Sequence, residues 1–178
     1  SYARYAKRIL ENKYYHPEIS SDVQGAEICA AIKNIYATVI GSAIGQAGNL
    51  VKNKKENFFN SSSGLFDQSL NEMRCITEKF RGKSETVYGL AGAGDLYVSV
   101  LGGRNAKLGS YLGQGYLFKS IIKKQMKGIT VEGAEVVKSA GKKILTLVGQ
   151  NKLPLLKALL NSINRNKKLK IDWKQFTI

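Results

Sequence analysis

The stretch EICAAIKNIYATVIGSAIG, residues 27–45, is the longest apolar segment of the chain. Its apolar residues recur at helical spacing, and a polar run that includes Ser20 and Asp22 stands before it. Ser21 and Gln24 have the spacing of a capping box, in which two side chains satisfy the first backbone N–H groups of a helix. The sequence therefore predicts one long helix that begins near Ser20 and is buried along most of its length.

Two polar residues, Lys33 and Asn34, interrupt this apolar segment near its middle. A charged amine there costs free energy, because burial removes water from the charge. Desolvation favours the neutral form of a lysine, and a lysine that changes protonation near neutral pH can act as a general acid or base. The alternative is a lysine whose stem packs on apolar surface while its ammonium reaches water. This segment alone leaves both interpretations open.

Helical periodicity recurs along the rest of the chain, whereas strand signals are weak. Pro154 is suited to the first position of a helix. The further predicted helices cover residues 2–10, 65–82, 132–148 and 154–163. We therefore predict an all-α fold.

Two segments are predicted to be loops. The first, residues 49–60, is rich in lysine and asparagine. The second, residues 89–115, is so rich in glycine that we expect a shaped loop with short helical turns. It contains GLAGAG, but this does not complete the GxGxxG pattern of a dinucleotide-binding loop, and no strong strand precedes it.

Length and composition limit the functional classes. The chain has 178 residues, the length of one domain. Cys29 and Cys75 lie far apart without CxxC spacing, which indicates reduced core cysteines, no metal site and a cytoplasmic location. The net charge of +15 suits nucleic acid, an anionic surface or small anionic substrates. A nucleic-acid-binding module is the least favoured alternative, because no RNA-binding, zinc-finger or helix-turn-helix pattern accompanies the lysines.

A membrane location is also disfavoured. Residues 27–45 are long enough to span a bilayer, but they contain Lys33, Asn34 and several small residues, which indicates a helix buried in protein. The first residues carry charges throughout and lack the continuous apolar core of a signal peptide. The chain begins at Ser1 inside a predicted helix, so we expect a fragment of a longer protein.

Three polar positions follow in the second half of the chain. Asp95 comes after flexible glycines that allow close backbone approach, although it could equally cap a short helix. Arg104 and Asn105 follow two glycines in GGRN, a suitable cradle for phosphate, although a surface arginine after a glycine turn is common. Glu132 in TVEGAE is an acid of the kind that favours the first turn of a helix.

Four motifs in this order resemble the C-terminal domain of NAD(P)-dependent glycerol-3-phosphate dehydrogenases over roughly residues 14–155. The motifs are DVQGAEICAAIKN, GLAGAGDLYVSV, GGRN and VEGAEVV. The resemblance implies the all-helical, substrate-binding half of a two-domain dehydrogenase, with the N-terminal Rossmann domain absent from this chain. Residues 1–20 would then be the tail of that Rossmann domain, and residues 21–178 the helical domain.

The resemblance also implies roles for individual residues. It assigns catalysis to Lys33 and Asp95. The residues expected to contact substrate are Lys33, Asn34, Asp95, Ser99, Arg104 and Asn105. The residues expected to contact the cofactor, NAD or NADP, are Arg104, Thr130 and Glu132. Ser99 stands where the family usually has threonine, and Gly103 replaces a serine. Residues 68–69 and the longer, more basic segment 49–60 also depart from the family pattern.

The implied activity is interconversion of dihydroxyacetone phosphate and sn-glycerol 3-phosphate, in the cytoplasm and in support of phospholipid biosynthesis. The chain alone is expected to be inactive, because it lacks the βαβ unit that holds a dinucleotide. A homodimer is left open. The main alternative is the helical domain of another two-domain dehydrogenase, which acts on a different hydroxy or keto acid.

Overall fold

The computed structural model describes residues 1–50 and 59–176. Within these residues the regular elements are helices, and the only β-type pairing is an isolated bridge between Asn12 and Tyr15. The described helices are α1 (Tyr2–Leu10), α2 (Val23–Leu50), α3 (Phe59–Lys79), α4 (Ser84–Tyr88), α5 (Asp95–Gly102), α6 (Arg104–Gly113), α7 (Phe118–Lys123), α8 (Glu132–Val136), α9 (Lys142–Val148) and α10 (Pro154–Asn164). The predicted all-α class is confirmed.

The central element is α2, which contacts α3, α5, α6 and α8. Ile35, Tyr36 and Val39 on this helix are fully buried. By length and composition α2 could cross a membrane, but 67% of its apolar window is buried inside the protein. Such burial is typical of a core helix, so α2 is weak evidence for a membrane span.

The start of α2 differs from the prediction. The helix begins at Val23, and the Asp22 carboxylate accepts a hydrogen bond of 3.0 Å from the Gly25 backbone N–H. The predicted capping box between Ser21 and Gln24 is therefore wrong. Asp22 is preferred because an aspartate is as good a helix cap as serine and its carboxylate accepts several hydrogen bonds at once.

The second Asp22 carboxylate oxygen connects α2 to α4. It accepts hydrogen bonds from the Lys83 backbone N–H at 2.8 Å and from the Thr86 hydroxyl at 2.6 Å. The Thr86 hydrogen bond, followed by the one from Lys83, lowers the pKa of Asp22 below its usual value. The ionised carboxylate thus joins the first turns of two helices that are distant in sequence.

The segment predicted as a glycine-rich loop is instead mostly regular helix. Four glycines, two on each helix, let α2 and α6 approach closely: Gly41, Gly45, Gly109 and Gly113. A Cβ atom on any of them would lie 1.9–2.3 Å from a backbone carbonyl oxygen of the facing helix. We call this contact the glycine seam. The loop prediction for residues 89–115 was wrong because Gly109 and Gly113 serve helix packing instead of turns.

A buried carboxylate joins α3 to the start of α10. Glu72 is fully buried, and its two oxygens accept hydrogen bonds from the Leu155 N–H at 2.6 Å and the Leu156 N–H at 3.1 Å. The Tyr36 hydroxyl donates to the same carboxylate at 3.2 Å. Burial raises the pKa of Glu72 to about 7 despite these donors. As predicted, α10 begins at Pro154.

The remaining predicted helices form in the described residues, but α3 begins at Phe59 and not at the predicted residue 65. The expected helix over residues 132–148 is formed by α8, a π-helical turn and α9. The N-terminal helix α1 also forms, but it buries none of its residues, and Tyr2 and Ile9 are among its exposed apolar side chains. The predicted loop over residues 49–60 lies largely outside the described residues, and α2 and α3 extend into its two ends.

Candidate active site

Lys33 and Asp95, which are 62 residues apart in sequence, form an ion pair between α2 and α5. The Lys33 ammonium donates to Oδ2 of Asp95, and the two side chains are 20% and 37% exposed. Asp95 is the first residue of α5, and the N-cap position belongs to Gly94. The helix-cap alternative for Asp95 is therefore disfavoured. The Lys33 ammonium ends at a carboxylate, unlike that of a lysine that only reaches water.

A π-helical turn, Leu90–Gly94, leads directly into Asp95. Gly92 in this turn is buried, and a Cβ there would lie 2.1 Å from the Val87 carbonyl oxygen. Only glycine lets this turn pack so closely on the end of α4. Single π-helical turns are frequent at functional sites. Here the turn fixes the start of α5, and with it the position of Asp95 next to α2.

A second charged pair joins α6 to α8. Nη2 of Arg104 donates to Oε1 of Glu132, and the two side chains are 57% and 41% exposed. A hydrogen bond from its own backbone N–H, followed by the charge of Arg104, lowers the pKa of Glu132. Glu132 also lies in the first turn of α8, where an acidic residue is favourable. It can therefore stabilise the helix start and pair with Arg104 at the same time.

Asn105 fixes this pair to the core. It is 5% exposed, its Oδ1 accepts a hydrogen bond of 2.9 Å from the Gly133 N–H, and its Nδ2 contacts Oε2 of Glu132 at 3.4 Å. The side chain predicted to hold phosphate is thus engaged within the protein. Sequence analysis missed Gly133, although the glycine within VEGAE was a signal that the backbone approaches another element there.

Asn34 brings the two pairs into one region. A Cβ on Gly133 would lie 2.3 Å from the Asn34 carbonyl oxygen, so α2 and α8 are in direct backbone contact at this point. No residue in the described part of the chain hydrogen-bonds to the Asn34 side-chain amide, which is half-buried beside Lys33. This amide is therefore available to a ligand.

These residues can perform a recognisable set of chemical tasks. A paired lysine can transfer a proton, a carboxylate can orient that lysine, and an exposed arginine can bind an anion. Residues 22–172 match the family described as the NAD-dependent glycerol-3-phosphate dehydrogenase C-terminus. The chain belongs to this family. The family resemblance inferred from the sequence is thereby confirmed over most of the chain.

Curated relatives agree with this family. The chain is 32% identical over 142 residues to an NADP(+)-dependent glycerol-3-phosphate dehydrogenase of Archaeoglobus fulgidus, covering 79% of this chain and 41% of the relative. It is also 32% identical over 174 residues to a glycerol-3-phosphate dehydrogenase [NAD(P)+] of Phytoplasma mali, covering 96% of this chain and 49% of the relative. The chain thus spans about half the length of the curated relatives that it matches.

Solved structures share the fold. A glycerol-3-phosphate dehydrogenase from Saccharomyces cerevisiae matches with a TM-score of 0.77 and 24% identity, over 93% of this chain and 46% of that one. The enzyme from Coxiella burnetii matches with a TM-score of 0.73 and 25% identity, over 94% of this chain and 48% of that one. The helices described above therefore have the arrangement of one half of these dehydrogenase structures.

The two remaining predicted site residues, Ser99 and Thr130, have positions that do not test their predicted roles. The Ser99 hydroxyl donates to the Asp95 carbonyl oxygen at 2.8 Å, one turn earlier on α5. Thr130 is exposed and lies two residues before α8, on the approach to Glu132. Ser99 as a substrate contact and Thr130 as a cofactor contact stay predictions.

Two of the surface cavities lie away from the site. One of about 810 Å³ lies between α3 and the end of α9, with Arg74, Glu78 and Lys152 in its lining, and contains none of the predicted site residues. The side chains of Asp95, Arg104 and Glu132 are instead each partly exposed to solvent. Within residues 1–50 and 59–176, no group of three or more His, Cys, Asp or Glu residues is arranged to hold a metal ion.

Proposed function

We propose that this chain is the substrate-binding and catalytic half of a glycerol-3-phosphate dehydrogenase, which interconverts dihydroxyacetone phosphate and sn-glycerol 3-phosphate. The observation that carries the proposal is the ion pair between Lys33 and Asp95, formed across two helices in a chain of this family. The assignment of residues 1–20 to the nucleotide-binding half, the cytoplasmic location, the link to phospholipid biosynthesis and the homodimer stay predictions.

Lys33 supplies the proton in this proposal. In the reducing direction its ammonium donates a proton to the carbonyl oxygen of the substrate, and in the reverse direction its amine takes the proton from the hydroxyl. Asp95 holds the Lys33 nitrogen by their ion pair and thereby orients the proton towards the substrate oxygen. Asn34 is adjacent to Lys33, and its side-chain amide is suited to a hydrogen bond with a second substrate oxygen.

Arg104 supplies the anion-binding group. Its guanidinium is more than half exposed, and the planar fork of an arginine is suited to two phosphate oxygens. Binding the phosphate at a fixed point places the reacting carbon relative to Lys33, so that binding energy is converted into alignment. Asn105 can join this contact only if its amide turns away from Glu132.

In this proposal Arg104, Thr130 and Glu132 contact a dinucleotide cofactor, either NAD or NADP. The hydroxyl of Thr130 and the carboxylate of Glu132 are suited to hydrogen bonds with ribose hydroxyls, and Arg104 is suited to a phosphate. When bound, the nicotinamide carries the hydride. These residues would hold only part of the cofactor, because the described residues contain no βαβ unit.

The test is an NMR titration of the chain with glycerol 3-phosphate and, separately, with glycerol. We expect the phosphate ester to shift signals of Lys33, Asp95, Arg104 and their neighbours, and glycerol to have little effect. Arg104→Ala should weaken ester binding at least about tenfold, because one charge-assisted hydrogen bond contributes about 1.5–3 kcal/mol. Lys107→Ala is the matched control, since it removes an exposed positive charge from the same helix.

Two results would contradict the proposal. Equal responses to glycerol 3-phosphate and to a small hydroxy acid such as lactate would favour a dehydrogenase domain for a different substrate. Tight binding of a short DNA duplex at moderate salt, without any response to the ester, would favour the nucleic-acid interpretation of the net charge of +15.

A further inference from the structure

We infer that Glu132 competes with phosphate esters for Arg104, so that an ester binds the Arg104 guanidinium only by displacing the Glu132 carboxylate from it. The inference rests on the proposed function, because it assumes that Arg104 binds the phosphate. It adds that Arg104 is paired with Glu132 when no ligand is bound, and that this pairing lowers the affinity of the site for phosphate.

The contact occupies the group that the phosphate needs. Nη2 of Arg104 donates to Oε1 of Glu132, and the described residues offer no second anionic partner to this guanidinium. A phosphate ester carries up to two negative charges. If it bound Arg104 beside Glu132, two anions would share one cation, and like charges that close repel each other.

The two partners differ in how easily they can move. The Glu132 carboxylate is fixed by the start of α8, by its own backbone N–H and by Nδ2 of the buried Asn105. These contacts also favour its ionised form, which is the form that competes. Arg104 has a long side chain that is 57% exposed. Ligand binding should therefore move the guanidinium from Glu132 to the phosphate, while Glu132 keeps its place.

The effect on affinity follows from the exposure of the pair. An exposed ion pair contributes up to about 1 kcal/mol. Removing the carboxylate charge should therefore tighten phosphate binding about fivefold, the factor that corresponds to about 1 kcal/mol. Glu132→Gln is the suitable variant, because the glutamine oxygen can still accept the hydrogen bond from Asn105.

The experiment measures the binding of glycerol 3-phosphate and of inorganic phosphate to the 178-residue chain by NMR titration. We expect Glu132→Gln to bind both about fivefold more tightly than the wild type. Glu135→Gln is the matched control, because Glu135 is an exposed acid of the same helix and pairs with Lys138 instead. It should change the affinity less than twofold. In an Arg104→Met background the gain from Glu132→Gln should disappear.

A direct readout tests whether Arg104 leaves Glu132 when the ester binds. The carboxyl carbon of Glu132 is titrated with pH in the absence and presence of saturating glycerol 3-phosphate. Since Arg104 contributes to the lowered pKa of Glu132, loss of the arginine to the phosphate should raise that pKa. An unchanged pKa of Glu132 would mean that Arg104 stays with Glu132 in the complex, and that result would overturn the inference.

The outcomes distinguish the inference from the proposed function. Wild-type binding of the ester at Arg104, together with unchanged or weaker binding by Glu132→Gln, overturns the inference and leaves the proposed function standing. An equal gain from Glu135→Gln, or an equal gain in the Arg104→Met background, also overturns it, because both would mean simple charge repulsion. Absence of ester binding by the wild type and by every variant overturns the proposed function and the inference together.

Discussion

Gly109→Ala should destabilise the protein through a single added methyl group in the glycine seam. The Cβ would lie 1.9 Å from the Thr38 carbonyl oxygen and 3.1 Å from the Ser42 backbone nitrogen, whereas ordinary contacts of this kind begin near 3.4 Å. The obstructing atoms belong to the backbone of α2, so no side chain can rotate away. The local separation of α2 and α6 would have to increase by more than about 1 Å in a packed core.

The expected magnitude combines two opposing effects. Overpacking a core costs about 1–3 kcal/mol and occasionally more, and a backbone clash belongs at the upper end of that range. Replacing glycine by alanine within a helix returns about 1 kcal/mol. We therefore expect a net loss of at least about 2 kcal/mol in the free energy of unfolding.

Urea denaturation followed by circular dichroism measures this loss as a lower midpoint at unchanged slope. The matched control is Gly102→Ala, because a Cβ there would have no atom within 4 Å. The control should be neutral, or stabilising by up to about 1 kcal/mol. If Gly109→Ala and Gly102→Ala had the same midpoint, the glycine seam would not be a close backbone contact and the reasoning would be refuted.

Two further predictions concern the buried carboxylate and the proposed catalytic lysine. The pKa of Glu72 is about 7 in the folded state, compared with an ordinary value of 4.5, so the folded state binds more protons than the unfolded state between these pH values. The free energy of unfolding should therefore fall by about 3 kcal/mol as pH rises from 4.5 to 7. Urea midpoints at several pH values should show this fall in the wild type but not in Glu72→Gln, and parallel profiles would contradict the role of Glu72. Lys33→Met, in a dehydrogenase that joins this chain to a nucleotide-binding half, should lower kcat at least about 100-fold while leaving the protein folded and cofactor binding near normal. Wild-type turnover in steady-state assays would exclude Lys33 from proton transfer.

Helices with one strongly apolar side were predictable from the sequence. The periodicity of α2, α3 and α10 is a local property, and α2 and α10 begin close to their predicted starts, whereas α3 begins at Phe59, before the predicted residue 65. The glycine-rich segment was not predictable in the same way. A glycine that allows a tight turn and a glycine that allows two helices to touch give the same signal in one sequence, because the difference lies in the facing helix.

The candidate site was partly predictable for a similar reason. Lys33 stood out because a charge within an apolar segment is energetically unusual. Its partner Asp95 was identified, but the pairing across 62 residues needed the fold. Asn105 shows the limit most clearly: the motif GGRN predicted a phosphate ligand, whereas the structure has this side chain buried and hydrogen-bonded to Gly133. Sequence motifs indicate which residues share a site, but not which of them already bind one another.

The positions of the charged residues are maintained by backbone contacts and not by the ion pairs themselves. The glycine seam fixes α6 against α2, the π-helical turn fixes the start of α5, and Gly133 fixes α8 against Asn34. The exposed pair of Arg104 and Glu132 contributes at most about 1 kcal/mol to stability. Removing either charge should therefore leave the helices in place and change only ligand binding. For this reason substitutions at Arg104 and Glu132 can test the chemistry of the site without unfolding the protein that carries it.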